Sequence, residues 1–178
     1  MKLFDDTKLK ELKPIDYRLI VELIKNPTLS DRQIARTLGV SQPTVLRRRG
    51  ELEKEMLLNY TAIPNLSKLG FEIIAATLAI GRGDKNPEEL MQRALDFWRN
   101  HPNTIFVSTG SGFGSDRVIL SAHKSYSDYV TYIKDLERDW GEFAETKGSF
   151  IIGLRHDNML SRLTFEQLAE GLAKEKSA

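Results

Sequence analysis

Apolar residues recur at helical spacing along the first third of the chain and at strand spacing beyond it. From Pro14 to Lys25, Ile15, Leu19, Ile20, Leu23 and Ile24 share one helical face, with a proline at the start, where no backbone donor is lost. Asn26-Pro27 ends that helix. Ser30 can cap a second one, with Gln33 bonding back at capping-box spacing. Ile34, Ala35 and Leu38 give it an apolar face, and Gly39 stops it. Val40 packs into the turn, Ser41 caps a third helix, and Pro43 lies in its first turn, with Val45 and Leu52 pointing inward. A helix, a glycine-containing turn and a second helix form a helix-turn-helix. The plain rival is an ordinary helical hairpin.

After Leu52 the helix continues through Met56, and Leu57, Leu58, Tyr60 and Ile63 read as an extended, strand-like arm that Pro64 ends. The period then changes. Strands are expected at Phe71–Ile80, Asn103–Gly110, Arg117–His123 and Ser149–Arg155. Helices are expected at Pro87–Asn100, on Leu90, Ala94, Phe97 and Trp98, and along a stripe of Tyr126, Tyr129, Ile133, Leu136, Trp140 and Phe143. The order β-α-β-β-α-β is the ferredoxin-like arrangement. The expected fold class is α+β: a (winged) helix-turn-helix domain over 1–63, a linker over 64–70, a ferredoxin-like domain over 71–157 and a helical appendage over 158–178. The role of that last helix is left open, packing on the second domain or on a neighbouring molecule being one option.

In such a fold both helices cover one face of the sheet, so a monomer needs the other face polar. Here Ile74 and Leu78 on the first strand, Phe106 on the second, and Phe150 and Ile152 on the last oppose residues that are themselves apolar. A sheet apolar on both faces predicts a homodimer made by packing one sheet on its twin.

Composition narrows the class. With 178 residues, 40% hydrophobic and 29% charged, the chain reads as a soluble globular protein of one or two domains. No apolar run is long enough to span a bilayer, and the charged N-terminal stretch does not read as a secretory signal, so a cytoplasmic location is expected. The absence of cysteine excludes disulfides and thiolate metal sites. His101, His123 and His156 lie far apart, without paired metal spacing. No cofactor is expected, and no nucleophile-and-base spacing is recognisable. Net charge is only +1, but Arg32, Arg36, Arg47, Arg48 and Arg49 fall in one stretch free of acidic residues. Such asymmetry points to an anionic partner for that part of the chain.

The helix-turn-helix, the arm and the β-α-β-β-α-β domain together resemble the Lrp/AsnC family of prokaryotic regulators. The likeness rests on Ile15-Asp16 with the Leu19–Leu23 helix, on Ser30–Arg48, on Leu52-Glu53, on Tyr60-Thr61-Ala62 and on Lys68-Leu69-Gly70. It implies a DNA-binding transcriptional regulator that dimerises, often into octamers, and whose second domain often binds an amino acid or related small effector. Double-stranded DNA is then the expected partner. Ser41, Gln42 and Thr44 suit phosphates and base edges, Arg47 and Arg48 suit guanine or phosphate, and Arg32 and Arg36 suit the backbone.

Three departures from the family pattern stand out. Arg49 replaces the usual aliphatic residue and is expected to reach outward as a further phosphate contact. Gly50 sits inside the recognition helix, at about 1 kcal/mol relative to Ala, and predicts a bend or an early end. The connection Gly110-Ser-Gly-Phe-Gly-Ser-Asp116 is longer than usual. Running between two strands, it suits a hairpin better than a phosphate loop. The resemblance nonetheless places any effector here, on Gly110, Gly112, Gly114 and Asp116, at a contact between dimers. Two rival functions share the plan: an enzyme like the siroheme decarboxylases, and an effector-free architectural protein binding DNA through its backbone.

Overall fold

The computed structural model describes residues 12–55, 57–82, 87–154 and 164–175. The lead-in before Leu12, the side chains of Leu90 and His156, and the start of the C-terminal appendage lie outside the described residues. The chain divides into two compact units, residues 1–63 with 163–178, and residues 64–162.

The first unit holds α1 (Pro14–Lys25), α2 (Asp31–Leu38) and α3 (Gln42–Lys54), joined by α6 (Glu166–Glu175) from the far end of the chain. Its core is Leu19, Leu23, Ile34, Ala35, Leu38, Val45 and Leu52. These are the apolar positions that the helical period brings to one side of each helix. α6 packs along α1 within the first unit, a place that the sequence left open. Val21 is buried although it lies two residues from both Leu19 and Leu23, on the opposite side of α1. α1 therefore buries two faces. Leu57–Pro64 carries no ladder, so the single chain has no paired wing there.

In the second unit β1 (Ile73–Gly81), β2 (Thr104–Gly112), β3 (Ser115–His123) and β4 (Ala144–Gly153) form one antiparallel sheet in the order β2-β3-β1-β4. α4 (Pro87–Asn100) and α5 (Tyr126–Trp140) supply the helices. Phe97, Ile119, Tyr132 and Leu136 are their shared core. On α5 the buried tyrosine is Tyr132, whose hydroxyl bonds Thr104 Oγ1 at 2.9 Å, whereas Tyr126 is 61% exposed. The expected stripe holds at Ile133, Leu136, Trp140 and Phe143, loses Tyr126 and gains Tyr132. β4 starts earlier than its apolar run, because Ala144–Thr146 pair with β1 beyond a bulge at Leu78/Ala79.

Alternation along the strands separates the two faces. Ala75, Thr77, Ile119, Ser121 and His123 are buried on the helix-covered side. On the other side Ile74 pairs with Ile152, Ala76 with Phe150 and Phe106 with Leu120. There Phe150 is 74% exposed and Phe106 51%. Among the described residues this face is thus apolar and open at Phe106 and Phe150, as the alternation along the strands predicts.

Candidate nucleic-acid interface

The helix-turn-helix is built by its caps. Ser30 accepts from the Gln33 amide, and the Gln33 side chain accepts from the Ser30 amide at 2.9 Å. Gly39 closes α2 in the left-handed conformation at φ 68°, the conformation in which a Cβ is unfavourable. Ser41 accepts from the Thr44 amide, and the two hydroxyls lie 2.8 Å apart. The first turn of α3 is therefore fixed, with the Thr44 and Val45 amides both bonded back to Ser41 and Gln42 exposed beside them.

The eight predicted contact residues do not share one fate. Ser41, Gln42, Arg32, Arg36 and Arg47 are exposed, and Thr44 is half-buried. Arg47 bonds Glu51 at 2.7 Å one turn on but keeps 60% of its side chain exposed. Arg48 is a correction. Its guanidinium is buried against Asp16, with Nε donating to Oδ1 at 2.6 Å and Nη2 to Oδ2, and Nη1 reaching Glu51. It ties α3 to α1 and is not presented to a ligand.

Arg49 is a second correction. It turns back to Asp31 at 3.1 Å, to Glu53 at 2.9 Å and to the Tyr60 hydroxyl at 3.0 Å, with its charge over the Tyr60 ring. An expected phosphate contact is instead a clasp joining α2, α3 and the arm. Gly50 does not end the helix, since α3 runs unbroken to Lys54.

Asp16 is a residue that composition-based reasoning passes over. Burial alone pushes its carboxyl up, but the Arg48 hydrogen bond, the Lys13 amide and the Arg48 charge hold it below its ordinary value. The signal was present in the sequence: Asp16 lies on the same helical face as Leu19 and Leu23, and a carboxylate on an apolar stripe needs a cation.

The second unit contains a cluster that resembles catalytic machinery. His123 Nε2 lies 2.8 Å from Ser121 Oγ, and Nδ1 lies 3.8 Å from Asp128. Asn103 Nδ2 donates to His123 Nδ1 at 3.2 Å and to Asp128 at 3.1 Å. Nδ1 is thus an acceptor, so Nε2 carries the proton and donates to Ser121. That tautomer cannot take a proton from the serine. Ser121 and His123 are also fully buried, so the cluster fastens β3 to α5 without meeting a substrate. Among the described residues no group of three could hold a metal ion.

Burial holds the His123 imidazole below its ordinary value of 6.5, against the opposing charge of Asp128. The unfolded chain accepts a proton there that the folded chain refuses. The contribution to stability is therefore complete above the ordinary value and declines as the pH falls below it. Denaturant titrations at about pH 7.5 and 5.5 should show the second unit weakening toward acid. His123→Gln should remove part of that slope, and an unchanged slope would refute this origin.

The glycine connection is a hairpin. Gly112 pairs with Ser115 around Phe113 and Gly114, both at positive φ, the geometry of a two-residue hairpin turn. Gly110, Gly112 and Gly114 have nothing within 4 Å of where a Cβ would stand. Asp116 accepts from the Gly81 amide at 3.0 Å and pairs with Arg117 at 2.8 Å. Within one chain these four residues form a strand end and not a cradle.

Residues 14–53 match the AsnC-type helix-turn-helix domain. An HTH-type transcriptional regulator of Pyrococcus furiosus is 27% identical over 127 residues, which are 71% of this chain and 82% of that protein. The Bacillus subtilis LrpC structure superposes with a TM-score of 0.64 at 21% identity, covering 86% of this chain and 97% of that one. A transcriptional regulator of Neisseria meningitidis, solved as its L-Met complex, superposes with a TM-score of 0.66 at 15% identity, covering 88% and 99%. No helix among the described residues is long and apolar enough to cross a membrane.

Proposed function

We propose that this chain, a transcriptional regulator of the Lrp/AsnC type, binds specific double-stranded DNA as a homodimer, each copy laying the first turns of α3 in a major groove. The observation that carries the reading is the capped, outward-facing start of α3, which presents Gln42 and Arg47 while Arg48 anchors the helix from behind. Helix N-termini and amide side chains suit phosphates and base edges. Arg32 and Arg36, exposed on α2, suit the flanking backbone. The open apolar face of the sheet supports the homodimer, and two copies would offer two α3 helices to successive half-sites. An amino-acid-sized effector would engage the Gly110–Asp116 hairpin at a contact between dimers, where Gly110, Gly112 and Gly114 have open space beside them.

A mobility-shift titration against the DNA upstream of the protein's own coding region, in rising salt, tests this reading. A specific duplex should bind more tightly than a random one, with affinity falling steeply as salt rises. Equal binding of the two would favour the architectural rival. Arg47→Ala should weaken specific binding by about 1–3 kcal/mol, and unchanged affinity would remove Arg47 from the interface. The enzyme rival needs cationic and histidine groups free on the strands, whereas Arg117 is paired with Asp116 and His123 is sealed.

A further inference from the structure

The outward side of α3 is not uniformly polar. Val45, Arg48 and Leu52 face inward, so helical spacing turns Pro43, Leu46, Arg47 and Gly50 away from the unit. Leu46 is 61% exposed on this side. It lies one turn after Gln42 and one turn before Gly50. Its neighbours Arg48 and Arg49 are committed to Asp16 and to the arm, so neither competes for the same space.

Gly50 is the second observation. A Cβ there would meet nothing within 4 Å, so no close packing within the chain requires glycine. α3 nevertheless bears the helix cost of a glycine in its interior. Bare backbone on an outward face permits close approach of a ligand. Leu46 and Gly50 therefore present a bulky apolar group beside a recess, on the side that the regulator reading turns toward the groove.

In the major groove the one apolar group that distinguishes bases is the thymine 5-methyl. We propose that Leu46 reads the 5-methyl of one thymine in each half-site, with Gly50 letting the DNA close in one turn further along α3. Gln42, one turn earlier, is left to pair with a neighbouring base, for which adenine is the bidentate match. The half-site then includes an A·T pair chosen by apolar contact, a feature the arginine count does not suggest. This inference rests on the DNA-binding reading above.

The test begins by selecting bound duplexes from a random library with the full-length protein. Each thymine of a selected duplex is then replaced in turn by deoxyuridine, which removes only the methyl. One thymine per half-site should show a loss of about fourfold, the value of one methyl at roughly 0.8 kcal/mol. Leu46→Ala should bind the thymine and deoxyuridine versions of that position equally while melting as the wild type does. Gly50→Ala should bind the selected duplex more weakly without losing stability. Specific binding that is indifferent to every deoxyuridine, or a Leu46→Ala protein that keeps the wild-type sensitivity, overturns the inference and leaves the regulator reading intact. A library from which no duplex is enriched overturns both.

Discussion

Arg48→Ala lowers the stability of the first unit by about 3–5 kcal/mol, a loss large enough to unfold many small domains. Removing the guanidinium leaves the Asp16 carboxylate fully buried with only the Lys13 amide as a hydrogen-bond donor. Chemical denaturation followed by far-UV circular dichroism measures the effect, and a change under about 1 kcal/mol would place the pair among surface ion pairs. Replacing both partners with apolar residues, Asp16→Leu with Arg48→Met, should recover much of the loss, because no buried charge is then left alone. The pair also sets an acid limit. With Asp16 held below its ordinary 3.8, its contribution is complete above that value and is lost as the pH falls through the lowered one. The same variant separates two roles for Arg48. A DNA contact would lose affinity at unchanged stability, whereas an anchor loses stability first.

Phe150→Glu is expected to convert the proposed homodimer to a monomer. Phe150 is 74% exposed and lies beside Ala76 on the open face of the sheet, so the single chain can accept the charge while the sheet-to-sheet contact cannot. Light scattering should report half the wild-type mass. Affinity for a two-half-site duplex should fall by about 10²–10⁴, the advantage that linked binding modules confer, although every α3 residue is intact. Binding to an isolated half-site should not change. A dimer that survives the substitution would move the interface elsewhere.

Both effects follow from the direction of a side chain and not from its type, and direction is where sequence reading succeeded unevenly. The helix-turn-helix was legible because Ser30, Gln33, Gly39, Ser41 and Pro43 act within a few residues of themselves, and such caps need no knowledge of the rest of the chain. The open sheet face was legible because alternation assigns faces without tertiary information. The three arginines were not. Arg47, Arg48 and Arg49 are adjacent in sequence but stand about 100° apart around the helix, so one faces out, one faces α1 and one faces the arm. A charge count sums them, whereas the helical period separates them. Tyr126 and Tyr132 show the same limit on α5: both fit an aromatic stripe loosely, and only contact with Thr104 on β2 picks out Tyr132. β4 begins at Ala144–Thr146, ahead of its apolar run, because β1 offers it a partner there, a reason that lies more than sixty residues away.

The return of α6 to α1 has a consequence in time. Three of the helices in the unit that carries α3 leave the ribosome before any strand of the sheet, but α1 lacks the helix that packs along it until Glu166–Glu175 has been made. At about 5–20 residues per second, the stretch between Ile63 and Leu163 takes roughly 5–20 s to synthesise. Throughout that interval the nascent reading head is an unfinished bundle. It becomes whole only after every strand of the sheet has already been made.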